Sequence, residues 1–293
     1  MDTKNINIRS NQNFSRIPSS ILDLGYFRKL YTTLCDISKD GARLENENYT
    51  KSHDQSEEDF QKMKAGTYDL YIVSILIYGT NGEQILSHNV NTFEDSNLPN
   101  EISQIIFDNS LIYTSRVKQN PQNKFRIVFD FNKPSIFDFT YKPSLNTNNS
   151  SIEILGQNDN WVKGAFEQTK LSLKERKTKR SWLYANNIYE IFLLTLVIPL
   201  CFWNLFKISY LFSISSLNLP SPIEVGFFIY IFILLLWLFR IIFNYGRWLF
   251  PYVEINYGFR RKEIAHRIIL VGLVTTLLYS LVKDLIVFVF TSL

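Results

Sequence analysis

The chain has 293 residues and a formal net charge of +4 at neutral pH, an excess of bases too small to indicate nucleic-acid binding by itself. Its two cysteines, Cys35 and Cys201, lie in a polar and an apolar region respectively, which excludes a disulfide framework. Hydrophobic residues make up 46% of the chain, but this value averages a first half rich in Asn and Ser and a second half rich in Phe, Ile, Leu and Trp. Composition therefore predicts a polar domain followed by a membrane-associated region.

The polar part carries no segment that would direct it across a membrane. The opening residues lack the apolar core of a signal peptide, and residues 1–17 are predicted to be a disordered tail. Residues 18–160 mix helical and strand patterns within a length that suits one domain. We therefore expect an α+β domain over residues 18–160 that remains in the compartment where it is made.

Three segments are predicted to be helical: residues 21–46, 98–107 and 159–181. The first of them repeats apolar side chains at helical spacing and follows Ser19 and Ser20, which suit a helix start. The polar stretch 48–66 is predicted to be a loop or a frayed helix.

Six further segments are predicted to be strands: residues 68–78, 83–90, 111–118, 124–131, 136–141 and 152–156. Residues 79–82 contain two glycines and suit a hairpin turn between the first two strands. A second hairpin is expected around Asn120 and Pro121. Hairpins combined with separate helices are typical of the α+β fold class.

Four cations of the second hairpin are expected to share one solvent-facing surface: Arg116, Lys118, Lys124 and Arg126. With the turn centred on residues 120–122, each base faces another base across the strand pair. Directly opposed like charges destabilise a strand pair, and a phosphate-bearing ligand would relieve the repulsion. We therefore expect an anion site for a nucleotide, an oligonucleotide or a lipid headgroup; the alternative is a solvated basic face that protects a sheet edge.

The last third of the chain contains three uncharged apolar runs, residues 191–206, 225–239 and 268–282. Each is shorter than the ~20 residues that cross a bilayer, so some flanking charged residues are expected to lie within the bilayer or to extend their side chains to its surface. Residues 187–293 are therefore predicted to form an all-α transmembrane bundle of three helices per subunit. The expected spans lie near residues 187–208, 223–243 and 267–290. A basic connector helix over residues 161–186 is expected to join the α+β domain to the first span.

Charge distribution predicts the orientation of these spans. Basic residues precede the first run and separate the second from the third, whereas residues 208–223 carry no charge. Because basic flanks stay on the cytoplasmic side, we expect the α+β domain in the cytoplasm, a multi-pass chain in the inner cell membrane, and the carboxyl terminus outside.

Charged residues border the apolar runs and are expected to form two layers. In an antiparallel helix pair, Glu190 and Arg240 would lie at the inner end. The outer layer would contain Lys207, Glu224, Lys283 and Asp284. Because apolar sequence continues beyond the outer layer, these residues would either line a water path in an oligomer or mark the membrane interface.

No pattern of catalytic residues accompanies these features. The three histidines, His53, His88 and His266, have no metal-ligand spacing relative to one another or to the cysteines. The chain contains neither a glycine-rich phosphate loop nor a nucleophile elbow. We therefore expect no enzyme, no metal site and no cofactor.

The combination of a polar domain (1–160), a basic connector (161–180) and three spans (187–290) resembles the membrane-effector subunits of bacterial anti-phage defence systems. Hailong-type systems, which pair a nucleotidyltransferase with a membrane channel subunit, are one example. The resemblance lies in architecture and carries no motif, so no functional residue is transferred.

The resemblance implies an oligomeric ligand-gated channel that permeabilises the inner membrane after an infection signal, leading to abortive infection. The signal would be a nucleotide or oligonucleotide, and a partner such as a nucleotidyltransferase would be encoded nearby. The alternative is a membrane-tethered adaptor that recruits a cytosolic partner without conducting ions.

Overall fold

Eight β-strands among the described residues organise the α+β part of the protein. The computed structural model describes residues 11–51, 53–94, 98–138, 148–185, 187–212, 221–257 and 264–273, together with 275, 276, 279, 280 and 283. The strands are β1 (Asn11–Arg16), β2 (Ser20–Asp23), β3 (Ser74–Gly79), β4 (Gln84–Ser87), β5 (Ile102–Asp108), β6 (Lys124–Asp130), β7 (Ser151–Gly156) and β8 (Val253–Asn256). Six of them form an antiparallel sheet in the order β1-β7-β6-β5-β3-β4, and β2 pairs with β8.

The helices divide into a polar group and an apolar group. The polar helices are α1 (Leu24–Asn48), α2 (Glu57–Leu70), α3 (Leu111–Val117) and α4 (Asp159–Lys174). The apolar helices are α5 (Ile188–Phe192), α6 (Ile198–Phe212), α7 (Ser221–Leu249) and α8 (Ile264–Leu273), with a π-helical turn at Leu193–Val197 that joins α5 to α6. The α+β expectation is therefore confirmed.

One face of the large sheet packs against α1 and α4. Phe27 of α1 is fully buried, with its ring centroid 5.1 Å from that of Phe129 on β6 and 6.3 Å from that of Phe107 on β5. Trp161 of α4 donates a hydrogen bond from Nε1 to the backbone carbonyl of Ile37, 3.2 Å away. Burial of these large apolar side chains supplies most of the stabilisation of this layer.

Several predicted elements are confirmed because their signals are local. Helix α1 is confirmed, but it begins after Asp23 and not after Ser19 and Ser20, because residues 20–23 form β2. The Asp23 Oδ1 accepts a hydrogen bond from the Tyr26 backbone N–H at 2.7 Å. The β3–β4 hairpin turns at Gly82, which has φ 88°, a conformation that glycine adopts without a steric penalty. Strands β6 and β7 lie where the sequence places them.

Other elements differ from the predictions. Part of the expected disordered tail is β1, an edge strand whose polar side chains give no apolar alternation. Residues 98–107, expected to be helical, contain most of β5 instead, because a central strand is apolar on both faces and resembles a buried helix. Residues 136–138 are not a strand, and 139–141 lie outside the described residues.

The expected connector helix over residues 161–186 is interrupted. Helix α4 ends at Lys174, where Glu175 and the following residues form a turn. Lys177 then makes a β-bridge to Ser20, and Lys179–Tyr184 form a short 3-10 helix. The basic segment is therefore attached to β2 before the apolar helices begin.

The chain forms two structural units, and each unit is built from segments that are separate in the sequence. The head unit comprises Met1–Asn132, Thr147–Ser181 and Tyr252–Tyr257, and the helical unit comprises Lys133–Asn146, Trp182–Pro251 and Gly258–Leu293. The chain therefore leaves the head unit at Ser181, runs through α5, α6 and α7, and rejoins it with β8.

Two stretches of the helical unit are long and apolar enough to cross a membrane: Ile188–Ser209 and Pro222–Leu249. Phe192 contacts Phe243, whereas Phe202 contacts Phe232, so the two stretches run antiparallel. These stretches match the first two predicted spans.

The third predicted span is not confirmed. Only the ten residues of α8, with helical positions at 275, 276, 279, 280 and 283, are described there. The two long helices therefore establish an apolar region of membrane-spanning length, but not a bundle of three.

Candidate functional site

The hairpin expected to carry four cations is not formed, because residues 111–117 are helix α3. The Asp108 carboxylate accepts hydrogen bonds from the Ser110 backbone N–H and hydroxyl, both at 2.7 Å, and so fixes the turn into the helix. Lys118 ends the helix in the left-handed conformation, with φ 61°. The aspartate turn before the helix and the left-handed residue after it thus account for the incorrect strand prediction.

The four cations consequently have separate positions. Arg116 and Lys118 are exposed at the carboxyl end of α3, and Lys124 begins β6. Arg126 lies on β6 between Asp108 of β5 and Glu153 of β7, its partners in strand register. Acidic cross-strand neighbours replace the expected opposing bases, so the repulsion argument does not apply.

Glu45 of α1 organises the region that carries Arg116 and Lys118. This carboxylate is 1% exposed and accepts hydrogen bonds from the Tyr113 hydroxyl at 2.6 Å, the Tyr49 hydroxyl at 2.7 Å and the Gln122 backbone N–H at 2.8 Å. The Tyr71 hydroxyl is its fourth donor. Glu45 therefore connects α1 to α3, to the residues after α3, and to the chain before β3.

Burial raises the pKa of the Tyr71 and Tyr113 phenols, and their hydrogen bonds to Glu45 raise them further. Both hydroxyls consequently remain donors throughout the physiological pH range. No local sequence pattern indicates this cluster, because Tyr71 and Tyr113 lie far along the chain from Glu45 and Tyr49 at the end of α1.

Tyr26 provides a measurable case of the same effect. Burial raises its pKa from 10.0 to about 12, although the Ser172 hydrogen bond and the Arg176 charge oppose the shift. The folded phenol thus keeps its proton where the unfolded phenol loses it, so this contribution to stability is constant below pH 10 and falls toward pH 12. We expect Tyr26→Phe to remove one phenol that titrates near pH 12 in absorbance measurements at 295 nm. Loss of a phenol that titrates near pH 10 would contradict the assignment.

A small β-structure, here called the exit junction, holds the points where the chain leaves and rejoins the head unit. It consists of β2, residues 176–180 and β8. Strand β2 runs parallel to β8, with Ser20 opposite Val253 and Asp23 opposite Asn256.

Polar contacts hold residues 176–180 to this pair of strands. The Thr178 backbone N–H donates to the Ser19 carbonyl at 2.7 Å, and Arg176 pairs with Asp23 at 2.9 Å. Arg180 forms an ion pair with Glu254 in which both side chains are largely buried. The sequence signal for β8 was slight, since it is a four-residue alternation between two apolar runs.

The expected charge layers lie on the apolar helices. Antiparallel packing puts Glu190 and Arg240 at one end, where the Arg240 guanidinium lies 5.9 Å from the Tyr189 ring centroid. Lys207 and Glu224 lie at the other end, with Lys207 Nζ 5.7 Å from the Trp203 ring centroid. Of the two remaining residues of the predicted outer layer, Lys283 is exposed and Asp284 lies outside the described residues.

Within the part of the chain that the structure describes, no group of three or more His, Cys, Asp and Glu residues is placed to hold a metal ion. His266 instead contacts an aromatic pair, with its Nδ1 2.7 Å from the Tyr245 hydroxyl and its ring 6.0 Å from that of Trp248.

Comparison with known proteins gives no relative from which a function could be transferred. No protein-family model, no curated protein and no solved structure matches the sequence significantly.

Proposed function

We propose that this protein is an oligomeric, ligand-gated membrane effector that permeabilises the inner membrane. The observation that carries the proposal is the path of the chain. Along the chain, the two long apolar stretches lie between residues 176–180 and β8, two segments of the exit junction of the head unit. A change in the head would therefore be transmitted directly to the helices through the backbone.

The apolar surface of the helical unit supports membrane insertion. In the most apolar 18 residues of the two long stretches, only 11% and 6% of the segment, respectively, is buried. Side chains such as Leu194, Phe206 and Ile229 are more than half exposed, which would be unfavourable in water and favourable in lipid. At about 1.5 Å per residue, the longer stretch of 28 residues exceeds a ~30 Å hydrocarbon layer.

Orientation follows from the basic residues. The exit junction carries Arg176, Lys177 and Arg180, and the positive-inside rule assigns such segments to the cytoplasm. The head unit would therefore lie in the cytoplasm of a multi-pass protein. The carboxyl terminus would lie outside if residues 267–290 form the third span.

Oligomerisation is required for conduction, because two or three helices cannot enclose a pore. We propose that Lys207, Glu224, Lys283 and Asp284 line the path at its outer end, and that Glu190 and Arg240 do so at its inner end. Charged groups are costly within a bilayer unless they face water or one another.

The proposed signal is an anionic ligand, a nucleotide or an oligonucleotide, at Arg116 and Lys118. What supports this is the exposure of Arg116 and Lys118 on a helix end that Glu45 holds firmly. The anti-phage role and an operon-encoded nucleotidyltransferase partner are proposed from the architectural resemblance.

The experiment is expression of the full chain in bacterial cells loaded with a membrane-potential dye, with and without its neighbouring genes. We expect depolarisation by the native chain. Glu224→Leu should reduce it severalfold, because the charge no longer attracts ions or holds the path hydrated. Glu58→Leu, an exposed head carboxylate, is the matched control and should depolarise as the native chain does.

Two results would overturn the proposal. One is the absence of depolarisation under every condition while the protein resides in the membrane. The other is removal of the protein from membranes by an alkaline carbonate wash.

A membrane-tethered adaptor is the second candidate, and one observation favours it. The sheet face opposite α1 and α4 exposes Phe14 by 59% and Leu86 by 61%, as a surface that contacts another protein would. An adaptor would retain function when its apolar helices are replaced by a foreign anchor, whereas an effector would not.

A further inference from the structure

Arg247, near the end of α7, is a buried cation among aromatic rings. Its side chain and backbone together are 6% exposed. The guanidinium carbon lies 4.8 Å from the Tyr184 ring centroid and 5.7 Å from the Phe243 ring centroid. Two aromatic faces thus hold the guanidinium group by cation–π contact and restrict its orientation.

The guanidinium group has hydrogen-bonding capacity that the protein leaves unused. Its Nε is buried and has no hydrogen-bond partner among the described residues. By contrast, the Nε of the nearby Arg267 has an acceptor: Nε and Nη2 of Arg267 donate to the Leu249 carbonyl at 3.2 Å and 3.0 Å. Because a buried unpaired donor costs free energy, an unused Nε in this setting points to an acceptor supplied from outside the chain.

The backbone around Arg247 is fixed by two polar side chains. The Tyr184 hydroxyl lies 2.8 Å from the Arg247 carbonyl and 2.9 Å from the Phe250 carbonyl. Asn244, one turn before Arg247, donates to the Ile136 carbonyl at 3.3 Å. Arg247 is therefore held on a rigid support, as a binding side chain must be to recognise a ligand without a large entropic cost.

Two further bases and one carboxylate lie around Arg247, and together these charges favour an anionic ligand. Arg240 lies two turns before Arg247 on the same face of α7, and Lys133 Nζ lies 4.6 Å from the Trp248 ring centroid. Asp138 is close enough for its charge to act on Arg247. One carboxylate offsets part of the positive charge without satisfying Nε.

Position along the helix indicates the kind of anion. Arg247 follows the uncharged stretch of α7 by two turns, at the end where Tyr245 and Trp248 stack with 10° between their rings. Aromatic residues and arginines with these positions face the headgroup layer of a bilayer. Arginine recognises phosphate through paired N–H donors in a plane, which lysine cannot reproduce.

We infer that Arg247 binds the phosphate group of an anionic ligand, with Tyr184 and Phe243 as the walls of the site. The inference rests on the proposed membrane location insofar as that phosphate belongs to a lipid headgroup. A soluble phosphate compound would use the same chemistry, so the test separates the two sources.

The test uses the purified full chain in dodecyl maltoside and measures bound ligand by native mass spectrometry. The probes are dioctanoylphosphatidylglycerol, dioctanoylglycerol with the same tails and no phosphate, and inorganic phosphate. The native chain should bind the phosphate-bearing lipid at least about tenfold more tightly than dioctanoylglycerol, as expected for charge-assisted hydrogen bonds. Saturation by inorganic phosphate at similar concentrations would assign the site to a soluble phosphate compound instead.

Four variants identify the residue responsible. Arg247→Gln should weaken binding of the phosphate-bearing lipid at least about tenfold, and Arg247→Lys should recover only part of the loss. Arg43→Gln removes an equivalent charge from an exposed position of α1 and should bind as the native chain does. Asp138→Asn leaves Arg247 in place and should tighten binding, which keeps the test decisive if the Arg247 variants fold poorly.

Native affinity in Arg247→Gln would overturn the inference. So would equal binding of the two lipids by the native chain without saturation by phosphate, or unchanged binding in Asp138→Asn when the Arg247 variants do not fold. Since binding is measured in detergent, it does not depend on conduction. Absence of depolarisation with phosphate binding intact would refute the proposed function and leave this site standing.

Discussion

Arg180→Glu is expected to destabilise the head unit by about 3–5 kcal/mol. Adding Glu254→Arg is expected to recover most of that loss. The reason is that Arg180 and Glu254 form an ion pair in which the side chains are 20% and 8% exposed. Reversing one charge leaves two carboxylates together with little water to solvate them. The measurement is a double-mutant cycle of thermal unfolding of the full chain in detergent, followed by Trp fluorescence.

The chain contains a matched control for this cycle. Lys163 and Asp159 form an ion pair at 2.6 Å on α4, with side chains 67% and 50% exposed. Because exposed ion pairs contribute little, Lys163→Glu should cost less than about 1 kcal/mol. A cost for Arg180→Glu no larger than this would show that the exit junction does not depend on the Arg180–Glu254 pair.

The same cycle tests coupling between the head and the apolar helices. If the exit junction transmits a signal to the helices, each single reversal should abolish ligand-dependent depolarisation, and the double reversal should restore it. Single variants that fold, reach the membrane and respond as the native chain does would assign transmission to another part of the chain.

Glu45→Leu is expected to destabilise the head unit by about 3–5 kcal/mol, comparable to removing one partner from a buried charged pair. The substitution leaves the hydroxyls of Tyr49, Tyr71 and Tyr113 and the Gln122 backbone N–H without their acceptor. Each buried donor left unpaired costs roughly 1–3 kcal/mol, which access to water partly offsets. Urea unfolding of the full chain in detergent measures the change.

Glu47 provides the control for the Glu45 substitution, since it lies two residues further along α1. Its side chain is 56% exposed and its ion pair is with Arg43 of the same helix. Glu47→Leu should therefore change stability by less than about 1 kcal/mol. Similar effects of the two substitutions would mean that the tyrosine cluster contributes little to holding α3.

Predictions from the sequence succeeded where the signal is local. Helix α1 has an apolar face, and the β3–β4 hairpin has a glycine where the turn requires φ above zero. The two long apolar helices were predicted because uncharged runs of their length are rare in polar domains. None of these assignments depends on contacts with distant parts of the chain.

Predictions failed where neighbours decide the structure. Strand β5 was expected to be a helix, since a strand buried on both faces has no period-two alternation. Strands β1 and β8 are short, and they form because they pair with strands that are distant in the sequence. The anion hairpin depended on strand register, which no local pattern determines, so the failure of one strand removed the whole arrangement.

The pairing of β2 with β8 has a consequence for biosynthesis. Strand β8, which pairs with β2, is synthesised after both long apolar helices. The head unit is therefore incomplete until these helices have left the ribosome. Under the proposed membrane location, nascent chains would therefore engage the insertion machinery with an unfinished amino-terminal fold. A soluble fragment that stops at Ser181 would expose the β2 edge, and supplying residues 252–257 as a fused or separate peptide should close it.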